Sequence, residues 1–231
     1  WSVKKSDGSV VGAGAYACWN SPFRDYAVTY MEEYVKKNPV DGFLLDAMWW
    51  GLMGNDRTDW CCCEYCKKAY KARFGQEMPL SPSWADPRQM KQCIEWRRDC
   101  LDEVYTKIRA RIKAVRPEVG INIHGGSSWH LDAGNLFARI SCQRLSDIAY
   151  MENYNNEIFY AAFLRGISKR PTILHAPYLS DPFAVQHPIA GYDDDEVNSV
   201  VSGLVAHGCR PTMWIRWLPS GVLSKSDISL M

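Results

Sequence analysis

Apolar and polar positions along the chain follow two alternating rhythms. Short apolar runs recur, and between most of them lie stretches whose apolar residues return every three or four positions. Strand followed by helix, with brief connections, predicts parallel β/α units rather than a sandwich or a bundle. Trp1–Val11 reads as a hairpin turning at Asp7-Gly8, and it leads into a small-residue strand, Gly12–Cys18. Asn20-Ser21-Pro22 offers a cap to an amphipathic helix over Phe23–Lys37, which ends before Pro39. Val40–Ala47, mostly apolar but broken near its start by Asp41-Gly42, predicts a strand buried on both faces.

A long excursion, Met48–Ser83, follows and holds a short helix at Glu64–Phe74. Asp86-Pro87 caps and starts the longest helix, whose apolar stripe runs from Met90 and Ile94 to Ile112 and Val115. Further strands are expected at Gly120–His124, Asp147–Glu152, Pro171–Ala176 and Pro211–Trp217. Helices are expected at Ala133–Ser141, Glu157–Ser168 and Asp193–Ala206, the last stopped by Gly208 in the C′ position. With the first strand included the total is about six, against the eight of a closed parallel barrel. The expected fold class is therefore α/β, a (β/α)8 TIM-type barrel that is incomplete in this chain. The expectation for residues 1–231 is one catalytic barrel domain lacking its first strands, with a zinc-binding excursion at 48–83.

Composition narrows the partners. The net charge of +1 comes from 27 basic and 26 acidic residues spread along the sequence, so neither a nucleic acid nor an anionic membrane is an expected partner. Aromatic residues make up 13% of the chain and ten of them are tryptophans. Such rings suit a sugar, whose C–H faces stack on them, although packing is the commoner role for any single Trp. No apolar run approaches the roughly 18–20 residues that cross a bilayer, and Trp1-Ser2-Val3-Lys4-Lys5 lacks the apolar core of a signal peptide. A cytoplasmic location is the expectation, with self-association into a homo-oligomer left open.

Nine cysteines without a secretory signal argue for metal or core roles rather than a disulfide framework. Cys61, Cys63 and Cys66 form a C-x-C-x-x-C spacing that lets three thiolates converge on one tetrahedral ion while the following helix directs them. Cys18, at the end of an earlier strand, is placed to supply the fourth sulfur. A closed four-sulfur site has no open coordination position, so the expected zinc is a structural staple for the long loop. Cys93, Cys100, Cys142 and Cys209 read as buried free thiols.

The stretch Cys18-Trp19-Asn20-Ser21-Pro22-Phe23-Arg24, a helix, a buried strand and then Cys61-x-Cys63-x-x-Cys66 together resemble family 42 glycoside hydrolases, the zinc-bearing β-galactosidases. The match spans roughly residues 12–80. The resemblance implies that Cys18, Cys61, Cys63 and Cys66 are the zinc ligands and that the barrel domain is catalytic. One departure limits it. The galactosidases end the strand before the cysteine loop in Asn-Glu, whose Glu is the general acid, and this chain has Ala47-Met48 there. The phrase D-G-x-x-x-D, Asp41 to Asp46, followed by C-x-C-x-x-C, resembles instead the hypothetical glycosyl hydrolases grouped near the family 29 α-L-fucosidases. Their nucleophile is an aspartate at the end of the corresponding fourth strand, where Asp46 falls.

Retaining glycosidases need two carboxyl groups about 5–5.5 Å apart, and in a barrel both lie at strand C-terminal ends. Asp46 closes one expected strand and Glu152 another, so Asp46 is expected as nucleophile and Glu152 as general acid/base. Asp41, at the start of its strand, reads as structural. Trp19, Trp49, Trp50, His124, Asn153, Tyr154, His175, Trp214 and Arg216 are expected to bind the carbohydrate, putting indole, imidazole and guanidinium groups around one rim. The expected activity is hydrolysis of an O-glycosidic bond, α-L-fucosidase-like. The alternatives are a β-galactosidase-like or endo-acting polysaccharide hydrolase, or a carbohydrate-binding barrel without catalysis.

Overall fold

A computed structural model describes residues 1–10, 16–45, 61–82, 85–123, 144–152, 157–167, 172–178 and 194–214. In chain order these form α1 (Phe23–Lys37), β1 (Gly42–Leu45), α2 (Glu64–Phe74), α3 (Pro87–Val115), β2 (Gly120–Ile123), β3 (Ala149–Glu152), α4 (Glu157–Ile167), β4 (Thr172–Tyr178), α5 (Asp194–Ala206) and β5 (Cys209–Trp214). All strand pairings among them are parallel, so the α/β class and the alternation read from the sequence hold. The chain divides into two compact units, one holding Trp1–Ile123 with Ser146 and the other running on from Asp147.

In the first unit α3 is the spine. Its 29 residues rise about 43 Å at 1.5 Å each. Asp86 Oδ1 accepts a hydrogen bond from the Gln89 N–H at 3.0 Å and Pro87 opens the first turn, as the Asp-Pro pair predicts. The buried face runs through Met90, Leu101, Val104, Ile108 and Ile112, while Ile94 and Val115 are partly buried against the same core. β1 and β2 lie in register from Gly42 opposite Gly120 to Leu45 opposite Ile123. A Cβ at Gly42 would meet the Gly120 carbonyl oxygen at 3.0 Å, so the Gly that interrupts the apolar run lets two backbones come close. Beyond β2, the buried Ser146 hydroxyl accepts from the Ile123 N–H at 3.0 Å and donates to the Ile121 carbonyl at 3.2 Å. A side chain thereby satisfies backbone groups that would otherwise seek a strand.

One expectation needs correcting. β1 is not buried on both faces: Leu45 is buried, whereas Leu44 is 54% exposed. The pleat sends the two residues to opposite sides. Phe43, on the Leu45 side, meets Tyr34 of α1 edge-on at 5.9 Å, and among the described residues nothing comparable covers Leu44. Helix α1 has the bounds read from the sequence, but Pro22 occupies its N-cap and the side-chain bond comes from one residue earlier, the Ser21 hydroxyl accepting from the Phe23 N–H at 3.2 Å. Ion pairs Arg24–Glu103, Asp25–Lys107 and Glu32–Arg111 join α1 to α3. The opposite flank of α1 carries Tyr26, Tyr30 and Tyr34, exposed and in line, with rings 6.5 and 6.4 Å apart.

The N-terminal hairpin turns where expected, with Gly8 at φ 84° and an antiparallel bridge from Lys4 to Val10. Of the strand expected over Gly12–Cys18, residues 16–18 are described, and there Ala17 makes an antiparallel bridge to Ser2. In the second unit β4 stands between β3 and β5. β4 continues past the expected end at Ala176: the ladder breaks in register around Pro177, which has no N–H to donate, and resumes with Tyr178 opposite Trp214. β5 starts two residues earlier than expected, at Cys209, directly after Gly208, whose φ of 70° is the left-handed stop predicted for the preceding helix. The helix expected at Ala133–Ser141 and the thiol of Cys142 lie outside the described residues.

Two substitutions on α3 separate core from cap. Ile108→Ala, at a position with no exposed surface, is expected to cost about 2–5 kcal/mol. Asp86→Ala, which removes the cap, is expected to cost about 1 kcal/mol. Loss of helical circular dichroism in urea measures both, and equal costs would contradict α3 as the centre of this core.

Candidate metal centre and strand-end acids

Four cysteine sulfurs, those of Cys18, Cys61, Cys63 and Cys66, lie within 4.8 Å of one another, and all four residues are buried. Local backbone structure explains the convergence. The Cys18 N–H donates to the Trp1 carbonyl at 2.7 Å, and the Cys18 carbonyl accepts from both the N–H and the hydroxyl of Ser21, at 3.0 and 2.6 Å. That turn fixes the first sulfur. The Cys62 N–H donates to the Lys4 carbonyl at 2.7 Å, which ties the second segment to the hairpin. Cys63 is then the N-cap residue of α2 and Cys66 lies in its first turn. Cys62, the residue skipped by the C-x-C spacing, turns its sulfur toward the Leu80 carbonyl at 3.8 Å instead.

The spacing distinguishes a metal site from disulfides. Cys18 and Cys66 sulfurs are 3.3 Å apart and Cys63 and Cys18 sulfurs 3.5 Å, well beyond the roughly 2.05 Å of an S–S bond. A tetrahedron with metal–sulfur bonds of about 2.3 Å has edges of about 3.8 Å, so the observed set is near that size. Such a donor set fits a zinc-type ion.

Protons in the cluster are unevenly held. Hydrogen bonds from Cys18, Cys61 and Cys66 hold the Cys63 thiol far below its ordinary value, and a bond from Cys18 brings Cys61 down to about 7. Cys18 and Cys66 are pushed up, chiefly by the bonds they share with the other cysteines, because each further negative charge in the same buried volume is opposed. Four buried thiols hydrogen-bonded to one another are the arrangement from which a cation displaces protons.

Two contributors to the surroundings were not singled out by the cysteine spacing. The Asn20 side-chain amide donates to the Cys66 sulfur at 3.4 Å. Arg97 is the only charged residue in the buried set among the described residues, at 5% exposure. Burial lowers its guanidinium to about 10, opposed by the charges of Cys66 and Cys61 and then of Cys100 and Cys93. The sequence does carry a signal for Arg97: Cys93, Arg97 and Cys100 recur at helical spacing on one face of α3. That face meets α2, where the Tyr70 hydroxyl is 3.9 Å from the Cys93 sulfur and the Tyr70 ring stands edge-on to Trp96 at 5.2 Å.

The residues expected at the strand ends fare differently. Asp46, Trp49, Trp50, His124, Asn153, Tyr154 and Arg216 lie outside the described residues. Glu152 is the last residue of β3, the strand-terminal position expected of it, and its backbone partner is His175. His175 sits within β4 rather than at its end, and Trp214 is the last residue of β5. Trp19 is 8% exposed with its ring against Phe23 at 5.1 Å, which places it in the core beside the cysteines and not at an open surface. A depression of about 600 Å³ lies among α1, α2 and α3, lined by Arg24, Arg73, Asp99, Asp102, Glu103 and Lys107 among others. Its charges pair with one another, as Arg73 does with Asp99, and it belongs to the helix layer, not to strand ends.

Comparison with known proteins places this geometry in context. The sequence matches the family described as glycosyl hydrolase-like 10 over residues 2–168. No curated protein sequence matches significantly. Among solved structures, α-L-fucosidase isoenzyme 2 from Paenibacillus thiaminolyticus is similar at a TM-score of 0.69 and 17% identity, covering 100% of this chain and 33% of its own. A β-galactosidase from the psychrophilic Marinomonas ef1 gives 0.71 and 12%, covering 99% and 45%. A GH42 β-galactosidase from G. stearothermophilus gives 0.64 and 11%, covering 93% and 38%. The chain thus spans less than half the length of these three relatives, and it shares with them the α/β fold of barrel glycosidases.

The sulfur cluster predicts metal retention. Purified protein is expected to release close to one equivalent of metal on acid treatment. Cys63→Ser should lower metal affinity by ~10-fold or more, while Cys93→Ser, outside the set, leaves it unchanged. Mass-spectrometric metal analysis after dialysis decides, and equal metal in both variants would remove the site.

Proposed function

The chain belongs to the glycosyl hydrolase-like 10 family, and on that premise we propose that it is part of a retaining glycoside hydrolase, with α-L-fucosidase-like preference among carbohydrates. The family match over residues 2–168 is the observation that carries the reading. The likeness to a fucosidase along 100% of this chain supports the choice of sugar. In the proposal the strands are part of a (β/α)8 barrel completed by the longer protein, with catalysis at the strand C-terminal ends.

In the first step the Asp46 carboxylate attacks the anomeric carbon while Glu152, as the acid, gives its proton to the departing glycosidic oxygen, leaving a glycosyl ester on Asp46. In the second, Glu152 takes a proton from water, the hydroxide oxygen bonds to the anomeric carbon, and the Asp46 carboxylate leaves. Trp49, Trp50, Asn153, Tyr154, His124, His175, Trp214 and Arg216 serve as sugar contacts. Cys18, Cys61, Cys63 and Cys66 would hold a structural zinc, which supplies cross-linking to the chain and takes no part in bond cleavage. A second reading, a carbohydrate-binding barrel without turnover, draws on Ala47-Met48 standing where the galactosidases carry Asn-Glu.

Kinetics on 4-nitrophenyl glycosides tests the choice. The parent is expected to prefer the α-L-fucoside over the β-D-galactoside, and Asp46→Ala to fall to background. Glu152→Gln should lose ~10²–10⁴-fold on substrates with poor leaving groups and much less on nitrophenyl glycosides, whose leaving group needs no proton. Full activity in Asp46→Ala would sink the mechanism, and sugar binding with no turnover in the parent would establish the second reading.

A further inference from the structure

We infer that Asn20 is a positioning residue of the four-cysteine centre, its side-chain amide serving the Cys66 sulfur and so setting how tightly the centre holds a metal; the inference rests on the zinc reading above. The C-x-C-x-x-C loop serves its own first two sulfurs, since the Cys63 backbone hydrogen-bonds to Cys61 and the Cys66 backbone to Cys63. Cys66 cannot be served in the same way. The residues two and three positions after it, Lys68 and Ala69, lie inside α2, where each N–H is given to the carbonyl four residues back. A donor N–H for Cys66 therefore has to come from another segment.

Asn20 is placed to supply it. Its Nδ2 stands 3.4 Å from the Cys66 sulfur, 46 residues away in sequence. The turn that aims Cys18 also aims Asn20, because the Cys18 carbonyl accepts from the N–H and the hydroxyl of Ser21 and closes the chain around residue 20. The Cys18 sulfur is itself 3.3 Å from that of Cys66, so one short segment brings a ligand and a donor to the same point. A cysteine ligates a metal as the thiolate, and an N–H bond to an ionised acceptor is roughly twice as strong as one to a neutral acceptor. The Asn20 bond is thus worth more in the loaded centre than in the empty one, and the difference adds to metal affinity. Outer groups of this kind tune affinity by ~10–100-fold.

The test measures zinc affinity by competition with a chromophoric chelator in the parent, Asn20→Leu and Asn20→Asp, and records the sulfur-to-cobalt charge-transfer band of each cobalt-loaded protein. Leucine removes the donor at similar size, whereas aspartate keeps size and polarity but turns a carboxylate toward the sulfur at neutral pH. Asn20→Leu is expected to bind zinc ~10-fold more weakly and Asn20→Asp ~100-fold more weakly. The cobalt band of Asn20→Leu is expected at lower energy, since a thiolate without its N–H donates more readily. A residue that merely fills the turn predicts the reverse order, with aspartate the better replacement and the band unmoved. Should Asn20→Asp fail to fold, the affinity and cobalt band of Asn20→Leu decide. Both variants within twofold of the parent, aspartate binding better than leucine, or an unmoved band in Asn20→Leu each overturn the assignment while leaving the zinc centre standing. A parent that binds no zinc overturns both.

Discussion

The convergence of four cysteine sulfurs is the constraint on which the first unit depends. Cys18 follows the N-terminal hairpin, whereas Cys61, Cys63 and Cys66 lead into α2. Nothing in local chain propensity brings those segments together. Backbone bonds from Cys18 to Trp1 and from Cys62 to Lys4 use the hairpin as a common support. Once the sulfurs meet, the start of α2 is set, and Tyr70 carries its position to Cys93 and Trp96 on α3. α3 in turn packs against α1, which buries Ala27, Val28 and Val35, and the three ion pairs between the two helices are surface contacts worth little on their own. The order of dependence therefore runs from the sulfurs outward.

Charge imposes the second requirement. Four thiols in a dry interior cannot all ionise, and the hydrogen bonds among them lower Cys63 while raising Cys18 and Cys66. The resulting cluster is satisfied by internal hydrogen bonds and is still poised for a cation. This also accounts for a polar amide in an otherwise apolar region, because Asn20 gives its N–H to the Cys66 sulfur.

Much of this was legible from residue order alone, and where it was not the reason is physical. The helices at Phe23–Lys37 and Glu64–Phe74 carry their bounds in periodicity and punctuation, and Asp86-Pro87 announces α3 through cap chemistry that acts within one turn. The cysteine set was legible because its spacing is itself a ligand geometry. The exposure of Leu44 was not, since an apolar strand reads the same whether or not its second face is covered. β4 runs past its expected end at Ala176 because a register shift around Pro177, which has no N–H to donate, lets the ladder continue. Trp19 was read as a sugar contact because a tryptophan advertises size and stacking, not direction. Arg97 was passed over because a basic residue in an amphipathic helix is ordinarily a solvated one.

The segment Cys18-Trp19-Asn20-Ser21 shows why so short a motif signals a family. Each residue has a separate task that another type would not perform. Cys18 brings a sulfur, and Trp19 closes the apolar side against Phe23. Asn20 reaches the sulfur of Cys66. Ser21 holds the Cys18 carbonyl with its hydroxyl while accepting from the first N–H of α1. Replacing Ser21 loosens the turn that aims Cys18, and replacing Asn20 leaves a buried sulfur short of a donor. Cys18, Asn20 and Ser21 thus serve one centre, directly or through the turn that aims it. By the same logic the cysteine centre is separable from the strand ends, because this chain keeps all four cysteines while carrying Ala47-Met48 at the end of its second expected strand.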